Sequence, residues 1–283
     1  MKVELIAHTE IRSAEMWGIG YLPHQGNFGR VEMDADELAE FAGRNCYRSF
    51  NRPNPKTATN EGYLNHILEV GHESVLEHSS ATFYIEASRS VLTELERHRH
   101  LSFSVVSQRY VDAIDLDCHF PPALGDLSKG FPGDYWEAHE ILNDFYTHAQ
   151  HRYNELVQIF VKAGKPRKQA REAARAVLPN MTSSPMVVTA NHRAWRYVIK
   201  ARWHEAADAE IRELAGELLK QLRVIAPNTY QDIPDQPYSY SDNNGLKEQV
   251  TGDLGRFIAE QDKSMELGRK RVAQRRRAAE NRG

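Results

Sequence analysis

One short stretch of the chain carries an unusual density of arginine and histidine. Within ELERHRHLSFSVVSQRYV, from Glu94 to Val111, two arginines alternate with two histidines at positions 97–100, and Arg109 follows. Guanidinium groups held close together repel one another and need an anionic partner, and arginine binds phosphate through two parallel hydrogen bonds. The stretch therefore predicts a site for a phosphorylated ligand. The alternative is a helix that merely ends in cations, which complement its own dipole.

The residues after this arginine cluster favour the same interpretation. Serines at 102, 104 and 107 are poor helix formers, which predicts that the helix unwinds and presents hydroxyl and backbone N–H groups, both of which bind phosphate. Arg97 and Arg99 are two residues apart, so on a regular helix they point in different directions and could serve two ligands.

A second set of arginines lies nearer the C-terminus. Arg175 stands in REAARAVLP, and a helix starting at Asn191 carries Arg193, Arg196 and Arg202. Arg202 follows Arg193 by nine residues, or two and a half turns, so the two should not share a face of a straight helix. The alternative for each is a surface salt bridge.

Metal and nucleophile chemistry have no motif behind them. HESVLEH contains His72 and His78, but these are six residues apart, whereas a zinc protease helix places two histidines four apart, so no metal site is expected. Cys46 and Cys118 form no CxxC pair, and no nucleophile elbow surrounds Ser107. The glycine-rich fingerprints of dinucleotide and phosphate loops are also absent.

Composition limits the classes of protein that remain. The 283 residues include 36 Lys and Arg against 39 Asp and Glu, a formal net charge of −3, which argues against bulk nucleic-acid binding. Two cysteines and no signal peptide predict a reduced, cytoplasmic chain, and no run approaches the roughly 20 apolar residues of a membrane span. The tail GRKRVAQRRRAAENRG has seven Lys or Arg against one acid and is interpreted as a solvated helix or frayed end, with a nucleic-acid arm as the alternative.

Hydrophobic periodicity predicts alternating helices and short strands. Asp34 is expected to cap a helix that buries Leu38, Phe41, Ala42 and Cys46, and the Pro- and Gly-rich segment from Asp117 to Asp134 is expected to be a loop. The predicted strands are 1–8, 79–87 and 186–189; the predicted helices are 34–47, 61–70, one starting at 88, 134–164, 167–178, 191–203 and 206–226.

Several of these motifs together resemble one protein family. Arg97-His98-Arg99, seven further residues and Ser107, continued by Gln108-Arg109-Tyr110, resemble the signature of the flavin-dependent thymidylate synthases. HESVLEH upstream, ARAVLP from Ala174, Asn191-x-Arg193 and Arg202 follow in the family's order. The resemblance covers roughly Met1 to Asp232.

This resemblance implies a fold and an activity. The expected fold is α/β (α+β): one domain over residues 1–235 with a central antiparallel or mixed sheet flanked by long helices, assembling as a homotetramer that shares its sites between chains, followed by an extension over 236–283. The implied cofactor is FAD. The implied reaction converts dUMP to dTMP, with methylenetetrahydrofolate as one-carbon donor and NADPH as reductant of the flavin, and no enzymic cysteine is required.

The resemblance also implies roles for individual residues. Arg202 would activate the pyrimidine by stabilising its ionised imide. The residues implied to bind FAD are Ser74, Arg97, His98, Arg99, Asn191, His192, Arg193 and Tyr197. The residues implied to bind dUMP are Glu94, Arg97, Val105, Ser107, Gln108, Arg109, Arg175 and Arg202.

Two positions depart from the family pattern. Val105 stands where Glu or Gln is usual, so only its backbone could contact the nucleotide, and Tyr197 stands where Asn or His is common, so its phenol would have to substitute. These departures motivate one competing hypothesis, a related flavoenzyme that leaves a hydroxymethyl group on a pyrimidine nucleotide. The other is a non-enzymatic nucleic-acid-binding protein that uses the arginine clusters and the basic tail.

Overall fold

The computed structural model describes residues 1–21, 33–50 and 54–239, and those up to Tyr238 form one compact unit. The architecture is mixed α/β, as predicted. The strands are β1 (Lys2–His8), β2 (Ser80–Glu86), β3 (Ser102–Val105) and β4 (Met186–Asn191). The helices are α1 (Ser13–Gly18), α2 (Asp34–Tyr47), α3 (Asn60–Glu69), α4 (Arg89–Leu95), α5 (Ala123–Gly130), α6 (Pro132–Lys162), α7 (Arg167–Ala174), α8 (His192–Arg202) and α9 (Ala209–Ile225).

The four strands form one antiparallel sheet in the order β1-β2-β4-β3. One row of side chains crosses all four strands, because Phe83 stands opposite both Leu5 and Val188, and Val188 also stands opposite Phe103. The three predicted strands are confirmed. The strand β3 was not predicted, since four residues with alternating serines give too short a pattern to distinguish from a loop.

Three helices cover one face of this sheet. Alternate residues of β2 and β4 are buried in a core that also contains side chains from α4, α8 and α9. Trp195 of α8 packs edge-on against Phe83, with ring centroids 5.2 Å apart, and donates its indole N–H to the carbonyl of Ala81 at 3.0 Å. The predicted apolar face of α9 is confirmed, since all five of its residues are buried: Ile211, Leu214, Leu218, Leu222 and Ile225.

The helix α2 lies where it was predicted, but two expectations about it are wrong. Asp34 is the first helical residue rather than the cap, and its carboxylate accepts the backbone N–H of Ile11 at 3.1 Å. Cys46 is exposed, and Leu38, Phe41 and Ala42 are only half-buried. Another face of α2 is the buried one.

That buried face of α2 carries charged side chains. Asp36, Glu40 and Arg44, each four residues after the last, are all under 5 % exposed. Asn60 donates to a Glu40 carboxylate oxygen at 2.8 Å, and Thr229 donates its backbone N–H and its hydroxyl to Asp36 at 3.0 and 2.6 Å. Sequence periodicity misplaced this face because the partners that make burial tolerable lie far along the chain.

The segment between Asp117 and Asp134 is not a continuous loop, because it contains α5. Pro121 and Pro122 precede this helix and Gly130 ends it, positions where these residues are tolerated, and only Gly125 lies within it. The following helix, α6, is confirmed and is 31 residues long. It buries Tyr146, Ala149 and Tyr153, while Ile141 and Phe145 from the predicted apolar set are exposed.

Within the described ranges, no helix combines the length and apolar character that crossing a membrane requires. Apart from its first few residues, the predicted extension 236–283 lies outside the described residues, and so does the whole of the basic tail.

Candidate active site

The arginine and histidine cluster follows directly on α4. Ser88 caps this helix by accepting the backbone N–H of Val91 at 3.2 Å, and it also contacts the Glu210 carboxylate of α9 through its own N–H at 2.9 Å and its hydroxyl at 2.6 Å. The helix ends at the fully buried Leu95. The start and the end of α4 are therefore both fixed, and the end of the helix holds His98 and its neighbours in one place.

The second arginine set is positioned by α8. Asn191 ends β4 and caps α8, with its side-chain oxygen accepting the backbone N–H of Ala194 at 2.9 Å. At the other end Arg202 is the last helical residue, and Trp203 donates its indole N–H to the carbonyl of Pro234 at 3.1 Å. Strand, cap and helix therefore connect the sheet to Arg202 without an intervening loop.

These two elements bring Arg202 against the end of α4. Its Nη1 donates to Oε2 of Glu94 at 2.8 Å, and its Nη2 points to the Glu94 carbonyl at 3.4 Å. Its Nε donates to Nε2 of His98 at 3.1 Å. Three residues that the sequence assigned to catalysis, substrate and cofactor thus form one contact, although more than 100 positions separate Arg202 from the other two.

The imidazole of His98 is neutral in this arrangement. Burial, followed by the charges of Arg202 and Arg97, lowers the pKa of His98 from 6.5 to about 4. Arginine has no acceptor, so Nε2 of His98 must accept and the ring proton resides on Nδ1. That Nδ1 is buried and has no hydrogen-bond partner in the described part of the chain. The ring of Tyr197 packs edge-on against the His98 imidazole, with the two ring centroids 5.6 Å apart.

The other residues assigned to the flavin lie in three different surroundings. Arg193 forms an ion pair with Glu77 on the turn that also carries the exposed Ser74, so these two assigned residues lie on adjacent elements. His192 is 1 % exposed, and its Nδ1 lies 2.9 Å from the Tyr230 hydroxyl, which places its side chain in the core. Arg97 and Arg99 are exposed and form no ion pair with any residue that the structure describes.

One residue of this region has a role that the sequence left open. Arg196 was weighed as a possible surface salt bridge, yet it is only 1 % exposed and pairs with Asp232 at 2.7 Å and Glu73 at 3.4 Å. Burial raises the pKa of Asp232, but the hydrogen bonds and charges of Arg196 and Lys200 outweigh it and lower that pKa to about 2. Arg196 thereby ties α8 to the turn that begins at Glu73.

Four of the residues assigned to dUMP lie at the end of β3 or in the loop that follows it: Val105, Ser107, Gln108 and Arg109. Val105 ends the strand, the Ser107 carbonyl accepts two backbone N–H groups at 2.9 Å, and Gln108 is buried with no partner for its Nε2 in the described ranges. Arg175 is exposed on a turn after α7 and forms no ion pair within the described residues. The structure therefore does not bring these groups into direct contact with Arg202.

A cation-rich cleft of about 420 Å³ lies beside this loop. Arg109 lines it together with Lys165 and Lys168, and Phe160 contributes an apolar wall. The Arg109 guanidinium is only weakly held, since Nη1 lies 3.5 Å from the Glu172 carboxylate. Sequence reasoning missed both lysines, although the run GKPRK at the start of α7 was a visible signal.

An antiparallel α/β fold that presents a basic cleft and arginines with no ion-pair partner among the described residues defines a protein suited to binding phosphorylated small molecules. The family is shown by comparison: residues 31–228 match the family model described as "Thymidylate synthase complementing protein". The chain belongs to the flavin-dependent thymidylate synthase family.

Relatives within the family are similar over most of their length. The chain is 70 % identical over 240 residues to the "Probable flavin-dependent thymidylate synthase" of Mycobacterium phage D29, covering 85 % of this chain and 99 % of that one. It is 66 % identical over 251 residues to the protein of the same name from Mycobacterium phage L5, covering 85 % and 100 %. It is 50 % identical over 211 residues to the "Flavin-dependent thymidylate synthase" of Mycobacterium tuberculosis H37Rv, covering 71 % and 81 %.

Proposed function

We propose that this chain catalyses the reductive methylation of dUMP to dTMP. Methylenetetrahydrofolate supplies the carbon, and NADPH supplies the hydride through FAD, so that tetrahydrofolate and NADP⁺ are the other products. The observation that carries this proposal is the contact of Arg202 with Glu94 and His98, because it joins two motifs that lie far apart in the sequence at one point of the fold.

The proposed role of Arg202 is electrostatic. A cation beside the pyrimidine imide stabilises its ionised form, which enriches the ring carbon that attacks the methylene donor. Five N–H groups leave the guanidinium, and three of them point to Glu94 and His98, so two remain for the nucleotide. The Glu94 carboxylate balances the charge of Arg202 while the site is empty of substrate.

The cysteines support a mechanism without an enzymic thiolate. Cys46 is exposed on α2 and points its thiol at the Ala42 carbonyl at 3.4 Å. Burial and the neighbouring Asp117 raise the pKa of Cys118, which disfavours the thiolate. The activation we assign to Arg202 takes the place of a nucleophilic cysteine.

The residues around the end of α4 fit a flavin dinucleotide. FAD carries two phosphate charges, and the exposed arginines at 97 and 99 have no ion-pair partner in the described residues. The buried Nδ1–H of His98 is a donor with no acceptor among the described residues, as a ligand contact would require. The residues we propose to hold FAD are Ser74, Arg97, His98, Arg99, Asn191, His192, Arg193 and Tyr197. The side chain of His192 lies in the core, so this residue would contact FAD through its main chain. The bound flavin supplies the hydride that completes the methyl group.

The dUMP phosphate needs cations at some distance from Arg202, and the loop after β3 offers them. We assign the nucleotide to Glu94, Arg97, Val105, Ser107, Gln108, Arg109, Arg175 and Arg202. The Gln108 amide, buried and without a partner in the described ranges, is available to it. Arg175 directly follows α7, Arg109 lies beside α7, and the lysines of the basic cleft add charge beside Arg109.

We further propose that the enzyme is a cytoplasmic homotetramer whose chains share their sites. The long helix α6 supports this proposal, because Trp136, Ile141, Phe145 and Ile159 are each more than 59 % exposed. Large apolar side chains left in water along one helix are typical of an interface between subunits. Light scattering of the purified chain measures the assembly directly.

The central experiment combines spectrum and turnover. The purified protein should be yellow, should oxidise NADPH only when dUMP is present, and should release the exchangeable ring hydrogen as dTMP forms. Mass analysis of the product distinguishes a methyl from a hydroxymethyl group, which the departures at Val105 and Tyr197 make worth testing. A colourless protein that shifts DNA with a steep dependence on salt would overturn the proposal in favour of nucleic-acid binding.

A further inference from the structure

His98 contacts Nε, the one nitrogen of the Arg202 guanidinium that Glu94 does not contact. Glu94 contacts Nη1 with its carboxylate and faces Nη2 with its carbonyl, whereas Nε donates to Nε2 of His98 at 3.1 Å. His98 is only 7 % exposed, and Tyr197 packs against its ring. The imidazole therefore has little freedom to leave the Nε edge.

The hydrogen bond from Nε of Arg202 to His98 limits how Glu94 can pair with Arg202. A carboxylate grips arginine most strongly through two parallel hydrogen bonds, and one common form of that grip uses Nε together with one Nη. With Nε held by His98, the Glu94 carboxylate has a single contact at Nη1. Arg202 thus keeps two N–H groups in fixed directions and is not closed into a two-pronged ion pair.

We infer that His98 is a positioning residue for Arg202: its Nε2 holds the guanidinium in the orientation that stabilises the pyrimidine imide. The inference rests on the proposed function and goes beyond it, because the family resemblance assigns His98 to the flavin. The two assignments concern different ring atoms. Nε2 is already engaged by Arg202, while only Nδ1 remains for a cofactor.

Two amide variants separate the two ring atoms. In His98→Gln the side-chain oxygen can reach the place of Nε2 and accept from Arg202, whereas in His98→Asn the shorter amide can replace only Nδ1. We expect His98→Asn to lower kcat roughly 10- to 100-fold, the usual scale for a residue that orients a reacting group, while the affinity for FAD stays close to wild type. His98→Gln is the conservative rescue variant and should recover most of the kcat that His98→Asn loses, which a residue that serves FAD only through Nδ1 would not do.

A second readout needs no turnover. The imide of 5-fluoro-dUMP ionises near neutral pH, and its ¹⁹F chemical shift reports the ionisation when the analogue is bound to the full chain. An oriented Arg202 should lower the pKa of the bound imide by on the order of one pH unit in the wild type and in His98→Gln. In His98→Asn the pKa should return toward that of the free nucleotide.

The outcomes distinguish the two levels of the proposal. If the analogue does not bind the wild-type chain, the proposed function fails. If it binds and its imide ionises alike in wild type and His98→Asn, the positioning role alone is overturned. It is also overturned if His98→Gln loses FAD while His98→Asn keeps both flavin and turnover, because that order assigns the function to Nδ1.

Discussion

Arg196 and Asp232 form a bidentate ion pair, in which Nη1 donates to Oδ1 at 2.7 Å and Nη2 donates to Oδ2 at 2.8 Å. The guanidinium is almost completely buried, and it also contacts the Thr229 carbonyl. This pair attaches the segment that follows α9 to the middle of α8. The same segment also accepts the indole N–H of Trp203 at Pro234. The helix α8 is therefore held at Arg196 and at Trp203, one before and one directly after Arg202.

Replacement of Arg196 should therefore cost stability. Arg196→Met removes the buried guanidinium from Asp232 and Glu73 and leaves Lys200 as their remaining cationic partner, and removing one member of a buried pair typically costs about 3 kcal/mol or more. The free energy of unfolding in urea measures this loss. Arg193→Met is the matched control on the same helix, because its exposed pair with Glu77 should contribute less than about 1 kcal/mol. Equal losses in the two variants would contradict the assignment.

The protein should also become less stable in acid because of His192. Burial, followed by the charge of His8, lowers the pKa of His192 from 6.5 to about 4. Between these values the unfolded chain binds a proton that the folded chain does not, so the free energy of unfolding falls as the pH falls from 6.5 to 4. For this one group the loss is about 3 kcal/mol.

The variant His192→Asn isolates that contribution. Its amide lies near the position of Nδ1 and can keep the contact with the Tyr230 hydroxyl, but it does not titrate. We expect urea unfolding of this variant to depend less steeply on pH between 6.5 and 4 than that of the wild type. His148→Asn, which replaces an exposed histidine, is the control. An unchanged slope in His192→Asn would refute the prediction.

Arg202→Ala should abolish turnover while sparing the flavin. Removing a donor that stabilises developing negative charge costs about 100- to 1000-fold in kcat, and the flavin absorbance of the purified variant should remain. Arg202→Lys keeps the charge but loses the planar Nε contact with His98, so we expect an intermediate rate. Near-normal turnover of the alanine variant would remove Arg202 from the mechanism.

Lys168 should contribute to nucleotide binding through the basic cleft. Lys168→Met removes one cation beside Arg109, and we expect KM for dUMP to rise about five-fold at low ionic strength with kcat nearly unchanged. Added salt should shrink the difference from wild type, because it screens exposed charges. Lys162→Met, on α6 and outside the lining of the cleft, should leave KM unaltered. A rise of equal size in both variants would argue against a local role.

The elements that could be predicted are those whose burial depends on local pattern. The apolar faces of α9 and the alternation in β2 follow directly from residues that pack against one sheet. The face of α2 could not be predicted, because Asp36 is buried only where Thr229 satisfies it from the far end of the chain. The exposure of Ile141 and Phe145 on α6 could not be predicted either, because they share the helical spacing of residues that are buried.

The candidate site divides in the same way. Residue types and spacing predicted an anion site at Arg97 and Arg99, which stays a prediction, and the family resemblance singled out Arg202. Neither gave any sign that Arg202 contacts His98, since that contact depends on how distant parts of the chain fold together. Residue spacing also left Arg196 undecided, because a buried tether and a surface salt bridge have the same sequence.

The separation of 104 residues between His98 and Arg202 also concerns how the protein acquires its activity. Contacts between distant parts of a chain form late and slowly in folding, because the entropy of closing a large loop must be lost first. During synthesis, the contact cannot form until α8 has been made and has packed on the sheet. Turnover therefore requires that the domain has folded completely. Proteolytic cleavage of a loop between α4 and α8 that lets these helices separate would likewise remove the activity.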